Sequence, residues 1–103
     1  MKFTVQGSDI PNYNGTYTLI SGKGDDRVFA NGMGGYCTKL VRDNSQEQYW
    51  IITSSPTHTC LPPQDAYQGY PSTTDPWQVS EWVDVIFENP VRITLIMEKR
   101  NVF

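Results

Sequence analysis

Between Tyr36 and Ser55 the chain carries two strand-like runs, Tyr-Cys-Thr-Lys-Leu-Val-Arg and Glu-Gln-Tyr-Trp-Ile-Ile-Thr-Ser-Ser, on either side of the polar tetrad Asp43 to Gln46. β-Branched and aromatic residues fill both runs, and Asp and Asn supply turn chemistry between them. The pattern predicts a β-hairpin with a four-residue loop. Pairing about that loop sets Arg42 opposite Glu47, Val41 opposite Gln48, Leu40 opposite Tyr49 and Lys39 opposite Trp50. Thr38 then meets Ile51 and Cys37 meets Ile52. Arg42 and Glu47 make a cross-strand ion pair, and the Lys39 stem can lie over the Trp50 ring. Leu40, Tyr49 and Ile51 share one face of the ribbon, which leaves Trp50 and Ile52 for the core. Two strands alone are marginally stable, so the remaining chain has to cover this hairpin.

The 103 residues suffice for a single domain, 1–103, with one core. Only two alanines are present, and Thr, Val, Ile and the aromatic residues dominate the ordered-looking stretches. That is strand chemistry. Lys2 to Gln6, Thr16 to Ile20 and Arg27 to Ala30 read as three short strands before the hairpin, with an Asn-Gly turn at Asn14 after the first, an acidic loop from Ser21 to Asp26 after the second and an Asn-Gly turn at Asn31 leading into the hairpin. Strands two to five form a meander. Ser55 to Ser80 holds five of the seven prolines and no periodicity, so it reads as a long irregular segment. Inside it, Asp75-Pro-Trp-Gln78 carries an N-cap, a proline at the first helical position and a glutamine at the third. One short helical turn is expected there, followed by a strand from Trp82 to Phe87, although Val79, Trp82, Val83 and Ile86 also share a helical face. Glu88 to Val91 reads as a turn, and Arg92 to Lys99 as the last strand, folding back so that Ile86 faces Ile93 and Trp82 faces Met97. The expected fold is all-β: an antiparallel meander of about six or seven strands in a small barrel or sandwich, with at most one helical turn.

Asn14-Gly-Thr-Tyr17, Arg27-Val-Phe29, Tyr49-Trp-Ile-Ile52, the Pro71 and Pro76 region and Trp77 together form a pattern. It resembles a loosely defined group of small β domains in bacteriophage and bacterial proteins. The likeness covers most of residues 1–90, and the chain departs from it in a longer 56–76 segment and an extra C-terminal strand. The resemblance implies a small β module, often within larger or assembled proteins, and no catalytic residues.

A net charge of −3, scattered along the chain, disfavours nucleic acid and anionic membrane surfaces, both of which select basic patches. The start alternates like a strand and lacks a signal-peptide hydrophobic region, so a cytoplasmic location is expected unless a leader has been removed. Cys37 and Cys60 could close a disulfide loop worth roughly 3 kcal/mol in the chain-entropy view. Without a leader, two buried thiols are favoured. The sequon at Asn14 reads as a glycine turn entering a strand.

Chemistry-bearing residues are sparse. His58 and Cys60 lack the further partners that a metal or a nucleophile–base couple requires. Asp25-Asp26 has no calcium-loop spacing. Asp84, between Val83 and Val85, is expected to pair with Arg92 or Lys99. No catalytic residues, metal or cofactor are therefore assigned. The aromatic and polar residues of the irregular segment, Tyr67, Tyr70, Trp77, Gln64 and Asp65, are the candidate binding residues, although the favoured alternative is that the rings fold back and cover the open face of the sheet. The function expected is a non-enzymatic binding or assembly module that offers residues 56–78 or a sheet edge to a protein partner or to another copy of itself. A carbohydrate-binding module built on Tyr67, Tyr70 and Trp77 is the alternative, and a small enzyme the third reading.

Overall fold

A computed structural model describes residues 1–41, 47–58 and 65–98. Nine strands are present among them: β1 (Lys2–Gln6), β2 (Gly15–Ser21), β3 (Val28–Ala30), β4 (Tyr36–Val41), β5 (Gln48–Thr53), β6 (Tyr67–Tyr70), β7 (Glu81–Asp84), β8 (Pro90–Val91) and β9 (Thr94–Met97). They form one antiparallel sheet in the order β8-β7-β6-β5-β4-β3-β2-β1-β9, curled into a half-barrel. The all-β expectation holds.

The hairpin register is the expected one throughout its described pairs, from Tyr36 opposite Thr53 to Val41 opposite Gln48. Arg42 and the loop to Gln46 lie outside the described residues. Trp50 and Ile52 point inward and are fully buried. Their outward neighbours Thr38, Ile51 and Thr53 are buried as well. The 54–58 stretch runs behind them: Thr38 Oγ1 donates to the Thr57 carbonyl at 3.2 Å, and His58 Nδ1 lies 3.1 Å from the Lys39 carbonyl.

The inner face is an aromatic stack. Phe3 lies parallel to Tyr17 at 5.2 Å and edge-on to Phe29 at 5.1 Å, and Phe29 meets Trp50 at 6.1 Å. Offset and edge-to-face rings add to the area that they bury. Cys37, a free thiol, sits among them with no exposure. Cys60 lies outside the described residues.

The strand count exceeds the expected six or seven for two reasons. First, Tyr67–Tyr70 inside the irregular segment is a strand, paired with both β5 and β7. Gly69 hid it, because glycine weakens a strand signal. Here glycine is required by packing: a Cβ at 69 would lie 2.7 Å from Val79 Cγ1 and 3.2 Å from the Trp82 ring. Second, Trp82–Phe87 and Arg92–Lys99 do not form the expected hairpin. β7 stops at Asp84, Val85 to Phe87 make a turn, and Pro90–Val91 pairs back as β8 with Trp82 opposite Val91. β9 then pairs with β1, with Met97 opposite Phe3. Alternation identified strand chemistry in both runs but could not choose their partners.

The switch between edges takes only Arg92 and Ile93. Three Cα steps reach at most ~11 Å, so the two edges of the sheet come that close at this corner. Gly7, just after β1, lets the link pass: a Cβ there would sit 2.7 Å from the Arg92 carbonyl oxygen, and its φ is +88°.

Three 3₁₀ turns occur where at most one helical turn was expected: Pro11–Tyr13, Gly24–Asp26 and Pro76–Gln78. The last is the one read from sequence. Gln78 Oε1 accepts from the Asp75 N–H at 2.9 Å, and the Gln78 N–H donates to the Asp75 carbonyl at 3.1 Å. The other two carry weaker signals, since neither has a side-chain cap.

Candidate functional site

One end of the half-barrel is closed by buried cations. The Arg27 guanidinium carbon lies 5.3 Å from the Trp50 ring centroid, and Lys39 Nζ lies 5.3 Å from the same centroid. Arg27 pairs with Asp75 at 2.9 Å and donates to the Gly24 and Thr74 carbonyls, each at 2.7 Å. Lys39 pairs with Asp25 at 2.8 Å and donates to the Thr73 carbonyl, which also accepts from Trp50 Nε1. This cluster ties the 73–75 stretch across the core. It accounts for Asp25 structurally, as the ion-pair partner of Lys39.

Trp77 belongs to the same closure. Its ring sits 5.9 Å from Phe3 and 6.4 Å from Phe29, so it covers the core. Tyr67 also turns inward. It is 3% exposed, edge-on to Tyr13 at 5.6 Å, with its hydroxyl 2.8 Å from Ser8 Oγ. Tyr67 and Asp65 border an open cavity of about 540 Å³ at the other end of the barrel, together with Asp9, Asp84 and Arg92. Tyr17 and Cys37 lie between the two ends. Burial first, then Cys37, Tyr13 and Tyr67, pushes the Tyr17 hydroxyl far above the ordinary phenol range. Burial likewise pushes up the Cys37 thiol, against the opposing pull of Arg27. Both groups are therefore inert at neutral pH.

Asn14 is held by Ser8 on both sides of its amide, at 2.9 and 3.0 Å, in keeping with a structural turn. Asp84 does not use Arg92: its Oδ1 accepts from the N–H groups of Ile86 at 2.7 Å and Phe87 at 3.2 Å. Lys99 and Gln64 lie outside the described residues. Asp84 caps this turn because the chain reverses at Val85 instead of continuing as a strand.

Of the candidate aromatics, only Tyr70 stays on the outer face. It leans on Tyr49 at 4.9 Å and lines a cleft of about 440 Å³ with Glu47, Pro71 and Ser72. Tyr70 also borders a second cavity of about 310 Å³, whose remaining lining is Gln68, Val83, Asp84, Val85 and Glu88. Above it projects the 85–87 turn, with Phe87 72% and Ile86 38% exposed. The outer face thus runs from Tyr49 through Tyr70 to the cavity beside the turn. Sequence reasoning missed Ile86 and Phe87. Placing the turn at Asp84 to Glu88, where Asp can cap backbone N–H groups, would have exposed both.

No protein-family model, curated protein or solved structure matches the chain. Among the described residues no group of three or more His, Cys, Asp or Glu side chains is placed to hold a metal, and no helix is long and apolar enough to cross a membrane.

Proposed function

We propose that the chain is a non-enzymatic binding module whose outer face docks a protein partner through the 85–87 turn. The observation that carries this reading is Phe87, 72% exposed beside half-exposed Ile86 on a turn that Asp84 locks from beneath. The turn's backbone is already held by Asp84, and Phe has only two side-chain torsions to fix, so docking costs little ordering, which suits an interface anchor.

Charge selects the partner. Asp84 and Glu88 flank the tip, and Glu47 lies farther along the same face. The partner is an apolar groove with a basic rim. A second copy presenting the same patch would set carboxylates against carboxylates, because a two-fold contact is self-complementary.

Sedimentation of the chain alone, combined with affinity capture by wild type, Phe87→Ser and Glu88→Lys, tests this. The expected result is a monomer that retains a partner at low salt, with retention lost in both variants. Equal capture by wild type and Phe87→Ser, or self-association that Phe87→Ser abolishes, contradicts it.

A further inference from the structure

We infer that the cavity beneath the turn, lined by Gln68, Tyr70, Val83, Asp84, Val85 and Glu88, is a subsite for a neutral sugar ring. The argument starts from Gln68. It is 5% exposed, and its Nε2 is buried with no hydrogen-bond partner among the described residues. A buried amide left unpaired loses about 1–3 kcal/mol, so native folds rarely keep one without a use for it. Its terminal torsion is broad and close to two-fold, so the amide can turn either end toward a molecule in the cavity.

The surrounding groups narrow the ligand. Asp84 and Glu88 are acceptors, and Asp84 keeps one oxygen outside its turn bonds. Among the described residues no lysine or arginine lines the cavity. A cation would satisfy the carboxylates and leave the Gln68 N–H groups unpaired. An anion would satisfy Gln68 and be repelled by both carboxylates. A polyhydroxyl ligand satisfies all three, since each hydroxyl donates to a carboxylate and accepts from an amide. Tyr70 supplies the flat apolar surface on which a ring's C–H face rests. A volume of about 310 Å³ stands at the small end of ligand cavities, suited to a single ring. This subsite is independent of protein docking at Phe87, and separate variants address the two.

The test is a chemical-shift titration of the whole chain with the methyl glycosides of glucose, galactose, mannose and N-acetylglucosamine, and in parallel with butylammonium and acetate. The expected result is saturable shifts at Gln68, Tyr70, Asp84 and Glu88 for at least one glycoside, with a dissociation constant of about 1 mM or tighter. Gln68→Met keeps the side chain's size and removes its hydrogen bonding. It should fold as well as wild type and lose glycoside binding at least tenfold, whereas Phe87→Ser should keep it. Saturation by butylammonium alone, binding unaltered in Gln68→Met, or no response to any glycoside would each overturn the inference.

Discussion

Lys39 Nζ lies 5.3 Å from the centroid of the Trp50 ring, its direct cross-strand partner, and both residues are buried. Arg27 approaches the same ring, at 5.3 Å. The two cations differ in their anions, however. Asp25, facing Lys39, is 55% exposed, while Asp75, facing Arg27, is 24% exposed. Screening leaves the first pair weak, and the second is largely desolvated. Lys39→Met should therefore lower the unfolding free energy by about 1 kcal/mol, mostly the lost cation–π contact. Arg27→Met should lower it by about 3 kcal/mol, because Asp75 and two carbonyls lose their partner. Urea denaturation of both variants checks the order; equal losses would mean that the Asp75 pair adds nothing.

Gly7 and Gly32 both have positive φ, +88° and +73°. A methyl group at position 32 would meet no described atom within 4 Å, while one at position 7 would stand 2.7 Å from the Arg92 carbonyl oxygen. Gly32→Ala should lose about 1 kcal/mol from backbone strain alone. Gly7→Ala should lose at least twice that, since the chain linking the two sheet edges must also shift. Thermal melts of the pair isolate the close approach from the shared strain.

Cys37 and Tyr17 have folded pKa values raised above the ordinary 9.0 and 10.0. In the unfolded chain they lose protons at those ordinary values, while the folded chain still holds them. The stability they contribute is thus fully present below about pH 9 and falls as pH rises further, by up to about 1.4 kcal/mol per unit for each group. Cys37→Ala should flatten the decline between pH 9 and 10, before the Tyr17 contribution develops. Urea midpoints across that interval measure it, and an unaltered slope would show that Cys37 is not the group responsible.

Much of this scaffold was legible in the sequence because local rules and burial agree there. The hairpin register followed from turn chemistry and from Trp50 and Ile52 needing the same face. The turn at Pro76 followed from Asp75 and Gln78. Partner choice was not legible. Thr94 to Met97 alternates equally well beside β7 or β1, and only three-dimensional closure, with Gly7 passing under Arg92, selects β1. The candidate site was less legible. Tyr67 and Trp77 read either as recognition rings or, by preference, as a cover for the open face of the sheet, and both rings cover it. Tyr70 stays outside because it alternates with Gly69, whose inward side is taken by Val79 and Trp82.

Phe87 and Ile20 offer the most direct comparison for the docking claim. Both are exposed apolar side chains, at 72% and 56%, but Ile20 lies on β2 and Phe87 on the acidic-flanked turn. The decisive measurement is partner binding by Phe87→Ser and Ile20→Ser, each checked for an unchanged melting temperature. The expected result is binding lost in Phe87→Ser and retained in Ile20→Ser. Equal loss in both, or retention in Phe87→Ser, would contradict the assignment of the 85–87 turn as the docking site.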